Sequence, residues 1–149
     1  MATIVIDLDG TLNNCVHRQH HATNGEWDEF HSTLNEDAPY NDVMWFVKLM
    51  YEDGIEVIAV TGRNEAYRNQ TCEWLSKHKL FGCVDTILMR PENDYTPDHH
   101  LKPILLENYI GSKGVVLAEV MVVLDDRDKV VEAWRNYGLP CWQVRPGGY

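Results

Sequence analysis

Short blocks of apolar, largely β-branched residues recur along this chain: TIVIDLD (3–9), IEVIAVTG (55–62), VDTILMR (84–90), MVVLDD (121–126) and a shorter CWQV (141–144). Near-continuous Val/Ile/Leu runs suit strands covered on both faces, as in a parallel sheet. Between them the spacing turns helical. One helix is predicted from Asn41 to Glu52 and a second over 64–79, with Ala66, Tyr67, Trp74 and Leu75 on it. A third covers 129–137, where Val130, Ala133, Trp134 and Tyr137 share a face. Strands alternating with helices predict an α/β fold with right-handed crossovers. The stretch from Asn13 to Pro39 breaks the pattern. It is polar, rich in histidine and too long for an ordinary connection, so it reads as a lid or small cap after the first strand. A short helix is expected in it near Trp27–Leu34.

At 149 residues the chain fits one domain, residues 1–149, with 13–39 as its cap-like insertion. A chain of this size buries enough surface to fold without staples, and its 44% hydrophobic content agrees. No apolar run approaches the length of a membrane span. The opening MATIVIDLDG lacks a basic stretch before its apolar one and reads as a strand rather than a signal peptide, so a cytoplasmic location is expected. Cys15, Cys72, Cys83 and Cys141 are scattered and form no C-x-x-C, which disfavours zinc sites and redox pairs. The net charge of −10 argues against a protein that coats long DNA or RNA. It leaves room for an enzyme that meets one phosphate at a strand end, where a few arginines in a cleft act against the global sign.

The chemistry lies in how the blocks end. The first ends at Asp7 and Asp9, followed by Gly10 and Thr11; the second at Thr61, Gly62 and Arg63; the third at Arg90; the fourth at Asp125 and Asp126. In open α/β sheets, ligands bind outside the carboxyl ends of the strands. Asp7 and Asp9, two residues apart on extended chain, point the same way. With Asp125 and Asp126 beside them, each like-charged pair at 4 Å costs about 4 kcal/mol at an effective dielectric of 20. A hard cation relieves that repulsion, and carboxylates with water favour magnesium over zinc. An isolated Asp-x-Asp-Gly reads as a turn, and an isolated Lys102 or Thr61 as an ordinary surface or strand-end residue. Together they read as a site. Pro103 predicts that Lys102 stands at a helix start, where the positive dipole end suits an anion.

The string VIDLDGTL (5–12) resembles the first motif of the haloacid dehalogenase-like phosphohydrolases, Asp-x-Asp-Gly-Thr after an apolar strand. The hydroxyl motif at Thr61, the lysine at Lys102 and the acidic pair Asp125–Asp126 follow in that family's order. The resemblance implies that Asp7 attacks phosphorus to form an aspartyl-phosphate. It makes Asp9 the proton donor to the leaving alkoxide and then the base for water. Thr61 and Lys102 would hold the phosphoryl oxygens. Mg2+ would bind the Asp7 carboxylate, the Asp9 carbonyl and Asp126, with Asp125 acting through water.

A narrower resemblance covers nearly the whole chain. VVLDDRDKVVEAWRNYGLPCWQV (122–144) is similar to the end of the 3′-phosphatase domain of bacteriophage polynucleotide kinase-phosphatases. It implies a 3′-phosphorylated nucleic-acid end or nucleotide as substrate, and the host cytoplasm as the location of a phage-encoded chain. Arg18, Arg63 and Arg90 would contact the substrate phosphate or order the site, in bidentate geometry that suits phosphate. Compared with that domain, the segment between the first two strands is longer and the stretch before the third strand shorter. Extra residues, GSKGVVLAEV (111–120), precede the fourth strand. No G-x-x-x-x-G-K-[ST] is present, so an ATP-binding kinase half is not expected here. The same chemistry on small phosphomonoesters is the nearest alternative. A receiver-type phosphoacceptor domain is a remote one, because there the acidic pair follows the first strand and the lone phosphoacceptor comes later. His17, His20, His21, His99 and His100 sit in polar loops and read as solvated or hydrogen-bonding. Trp74, Trp134 and Trp142 read as core, and Trp27 as a stacking candidate.

Overall fold

The computed structural model describes residues 1–113 and 117–149. In chain order the strands are β1 (Thr3–Ile6), β2 (Asn13–Asn14), β3 (Ala38–Pro39), β4 (Glu56–Asn64), β5 (Thr86–Arg90), β6 (Val120–Asp125) and β7 (Cys141–Gln143). The helices are α1 (Gln19–Thr23), α2 (Trp27–Ser32), α3 (Asn41–Glu52), α4 (Arg68–Lys77), α5 (Asp98–Lys113) and α6 (Asp128–Asn136).

Five strands form one parallel sheet in the order β5-β4-β1-β6-β7. Strict alternation along the central strands splits the core in two. Ile4, Ile6, Val57, Ala59, Val122 and Leu124 face a cluster containing Val43 and Val47 of α3 and Trp74 and Leu75 of α4. Val5, Ile58, Val60 and Val123 face Leu106 of α5 and Val130, Val131 and Trp134 of α6. Both faces of the sheet are therefore covered, which is why the strand sequences are apolar throughout.

The register fixes where the chemistry falls. Ile6 pairs with Ala59 on one side and with Leu124 on the other. All three strands run parallel, so Asp7, Thr61 and Asp125, just beyond these pairs, come to the same end of the sheet, Thr61 still within β4 and Asp125 at the end of β6. The expected insertion is a small α/β cap: β2 and β3 pair antiparallel, and α1 and α2 lie between them.

Three expectations need correction. Pro103 lies inside α5 rather than at its start, so Lys102 is a full turn into the helix. The ring only deletes the hydrogen bond to the His99 carbonyl, close enough to the N-terminus for α5 to continue. Trp142 is 57% exposed rather than core, because β7 is an edge strand and its side chain lies against Phe46 with ring centroids 5.9 Å apart. The first strand is shorter than 3–9, since the chain turns at Leu8, whose carbonyl accepts from the Thr11, Leu12 and Asn13 amides. Of the extra stretch 111–120, residues 114–116 lie outside the described residues. No described helix is long and apolar enough to cross a membrane.

Candidate active site

The β1 turn builds the floor of the site. Gly10 adopts φ +87°, and a Cβ at that position would run into the Asp126 carboxylate. Glycine there lets the β1 and β6 ends close on one another. Thr11 stands between the two strands, its Oγ1 3.3 Å from Asp7 Oδ2 and 3.4 Å from Asp126 Oδ1.

Asp7, Asp125 and Asp126 are almost wholly buried, and one carboxylate oxygen from each lies within 4.8 Å of the others. Lys102 Nζ, on α5, sits 2.9 Å from both Asp7 Oδ1 and Asp125 Oδ2. Burial pushes the Asp7 carboxyl well above the usual carboxylate range, against the pull of Lys102, and Asp125, Asp126 and Asp9 add to the rise. Burial also raises Asp126, whose Oδ2 accepts from the Tyr149 hydroxyl. Burial disfavours charge on Lys102, but Asp125 and Asp7 outweigh it and keep the ammonium protonated. One cation among three buried carboxylates leaves the cluster short of positive charge.

Asp125 and Asp126 differ in what their oxygens do. Asp125 Oδ1 accepts from the Asp126 and Arg127 amides at 2.9 and 3.3 Å. Its Oδ2 accepts from Lys102 at 2.9 Å and from the Trp134 indole at 3.4 Å. Both Asp125 oxygens are thus engaged by N–H donors, whereas the hydroxyls of Thr11 and Tyr149 donate to Asp126.

Asp9 faces the cap rather than pointing the same way as Asp7, as extended chain would have it, because the chain turns at Leu8. Arg63 Nε and Nη2 reach its Oδ2 and Oδ1 at 3.0 and 2.7 Å, and Arg18 Nη2 donates to the same Oδ1. Burial alone would raise the Asp9 pKa, but Arg63 and Arg18 hold it far below the usual range. Both arginines are 1% exposed. Arg63 is anchored by Thr71 Oγ1 at 3.0 Å, and Arg18 by Asp37, the Phe30 carbonyl and the Phe30 ring. Thr61 Oγ1 accepts from the Arg63 amide at 3.1 Å.

Arg90 spends its nitrogens on protein. It donates to the carbonyls of Gly62, Asp94 and Thr96 and to Asp98 Oδ1, and so orders the loop that leads into α5. Gly62 packs so closely on Asp98 that a Cβ would stand 2.5 Å from Oδ1.

The structure thus gathers Asp7, Asp125, Asp126 and Lys102 in one cluster, and Asp9, Arg18 and Arg63 in a second joined to it through the β1 turn. Gly62 and Arg90 line the loop alongside. Sequence reasoning missed Asp37, Asp98, His31 and Tyr149. Asp98 carried a signal, because it lies one turn before Lys102 on the same helix face. Asp37 carried none, being one acid among several in the insertion.

Sheet order and strand-end aspartates define a haloacid dehalogenase-like α/β fold. A haloacid dehalogenase-like hydrolase of Streptococcus pneumoniae shares it at TM-score 0.66, covering 95% of this chain and 83% of that one at 10% identity, a likeness of fold alone. The family described as the polynucleotide kinase PNKP phosphatase domain matches residues 1–149, and the chain belongs to that family. A chain in the structure of the Pnkp1/Rnl/Hen1 complex is 34% identical with a TM-score of 0.83, aligned over 99% of this chain and 47% of its own length. A protein of Autographa californica nuclear polyhedrosis virus, named for bifunctional polynucleotide kinase/RNA ligase activity, is 31% identical over 145 residues, 92% of this chain and 18% of the viral protein. The chain therefore spans less than a fifth of the viral relative and about half of the one in the complex.

Proposed function

We propose that this phosphatase domain removes 3′-phosphates from polynucleotide or nucleotide ends, through an aspartyl-phosphate on Asp7 and with Mg2+ at the aspartate cluster. The observation that carries the reading is the trio of buried carboxylates, Asp7, Asp125 and Asp126, only partly offset by the ammonium of Lys102.

The donor set fits magnesium. It is all oxygen, negatively charged and buried, and it lacks the thiolates or imidazoles that would select zinc. Asp7 and Asp126 would hold the ion with the Asp9 carbonyl. Asp125 would act on it through water, since its own oxygens are already engaged. When bound, Mg2+ would supply charge stabilisation to the phosphoryl oxygens.

The remaining steps belong to the chain. An Asp7 oxygen bonds to phosphorus as the ester P–O bond breaks. Lys102 and the Thr61 hydroxyl neutralise and position the phosphoryl oxygens. A dianionic phosphate entering beside Arg63 and Arg18 competes with Asp9 for their guanidinium groups. Its arrival releases the Asp9 carboxyl, lets its pKa rise and allows it to carry a proton to the leaving 3′-oxygen. Asp9 then takes a proton from the water that attacks the phosphoenzyme.

Support for a nucleic-acid end comes from the family, from the viral relative named for polynucleotide kinase/RNA ligase activity, and from a similar chain in the Pnkp1/Rnl/Hen1 RNA repair complex. The charge of −10 favours an end over a long duplex. Phosphate release, with and without Mg2+, is compared on 3′-phosphorylated oligonucleotides, 3′-mononucleotides, 5′-mononucleotides and sugar phosphates. The expected order places 3′-phosphorylated ends first, with no release after chelation. Preference for 5′-nucleotides or sugar phosphates would remove the nucleic-acid assignment and leave the aspartate chemistry standing.

A further inference from the structure

Four rings of the cap and the β4–α4 connection form a continuous shelf. Trp27 meets Phe30 edge-on at 5.8 Å and stacks on His31 at 6.4 Å, and His31 packs on Tyr67 at 4.9 Å. The shelf adjoins the Asp9 cluster, because the Arg18 guanidinium that binds Asp9 also lies over the Phe30 ring at 4.3 Å. Trp27 is two contacts from that guanidinium, yet it is 56% exposed. An indole that packs on Phe30 and His31 yet stays more than half exposed this close to a buried charge cluster leaves apolar surface open beside the site.

A second observation concerns His31. It is 9% exposed, and its Nδ1 is buried with no hydrogen-bond partner among the described residues. Buried polar atoms are almost always satisfied, and an orphan at a functional site points to something that arrives. Burial also lowers the His31 pKa to about 4, so the ring is neutral and can give or take a hydrogen bond without adding charge.

The rim decides between the parts of a nucleic acid. Glu26, Asp28 and Glu29, next to Trp27 in the chain, are exposed, and Asp28 accepts from the Tyr67 hydroxyl at 3.0 Å. Strand-tracking grooves are positively charged. An acidic rim opposes backbone phosphates and tolerates a neutral base.

We propose that Trp27 and His31 form the subsite for the terminal nucleoside, its base stacked on the indole and a polar group of that nucleoside bonded to His31 Nδ1. This rests on the 3′-phosphatase reading. It also makes the site one for the last nucleoside of a strand rather than for several.

The test is a cycle between protein and substrate. Wild type, Trp27→Ala, Trp27→Phe and His31→Phe are each assayed on a 3′-phosphorylated oligonucleotide and on the same strand with an abasic terminal sugar. Wild type is expected to show a KM about 5- to 160-fold higher for the abasic strand, the range that base stacking supplies. Trp27→Ala is expected to show equal KM on both, Trp27→Phe to restore most of the difference, and His31→Phe to lose part of it. A wild type indifferent to the terminal base, or a Trp27→Ala variant that keeps the full difference, overturns the subsite. A wild type that turns over small sugar phosphates better than either strand instead overturns the 3′-phosphatase reading beneath it.

Discussion

Arg63 grips both oxygens of Asp9, Nε to Oδ2 at 3.0 Å and Nη2 to Oδ1 at 2.7 Å. A carboxylate held this way is ionised and turned toward the cap, so it needs an incoming anion to release it. The proposed mechanism gives Arg63 two tasks, holding Asp9 ready and receiving the phosphate. Replacement by Gln is expected to lower kcat/KM by about 10²- to 10³-fold, as for loss of a preorganised donor. Arg63→Lys should recover little, since an ammonium cannot make the two-pronged contact. Steady-state kinetics on a 3′-phosphorylated oligonucleotide measures both.

Among the described residues, Lys102 is the one cation within hydrogen-bonding reach of Asp7 and Asp125. Removing one member of a buried charge network leaves the others uncompensated, at a cost of about 3–5 kcal/mol. Lys102→Met is therefore expected to lose that much stability at neutral pH in urea unfolding without added metal. A change below about 1 kcal/mol would show that water, rather than the lysine, screens the cluster.

Magnesium binding should be visible without turnover. Added Mg2+ is expected to raise the melting temperature of the wild type, since a ligand that binds only the folded state stabilises it. It should do little for Asp126→Asn. Burial raises both Asp7 and Asp126, so protons compete with the metal and the apparent Mg2+ affinity should fall as pH falls. Titration calorimetry at several pH values checks the sign.

His31 gives a separate pH dependence. Its pKa falls from about 6.5 when unfolded to about 4 in the fold through burial. The unfolded chain thus binds more protons between these values. The stability this group contributes is whole above pH 6.5 and is lost as pH falls toward 4, by up to about 3 kcal/mol. Urea unfolding should show His31→Phe losing less stability than the wild type between pH 7 and 4.5. Parallel curves would contradict the assignment.

The sheet was largely legible because buried parallel strands announce themselves as apolar runs and their ends as abrupt polar residues. Helix α3 falls at Asn41–Glu52 as expected, and the cap helix at Trp27–Ser32 lies within the expected region. Strand-end aspartates were legible for the same reason, since Asp7 and Asp125 each interrupt an apolar run. Partnerships were not. Nothing local distinguishes Asp37, which anchors Arg18, from its acidic neighbours, because the contact depends on how the cap folds back. Trp142 was misread because its burial depends on whether another strand lies beyond β7. Tyr149 reaches Asp126 only through the path of the chain after β7, which no periodicity encodes.

The central claim is that Asp7 carries the phosphoryl group. Rapid acid quench of the wild type during turnover of a 3′-phosphorylated oligonucleotide, followed by peptide mass mapping, tests it directly. The account predicts one added phosphoryl group on the peptide containing Asp7, and none in Asp7→Asn, which should also release no phosphate. A phosphoryl group on another residue, or sustained turnover by Asp7→Asn, would contradict it.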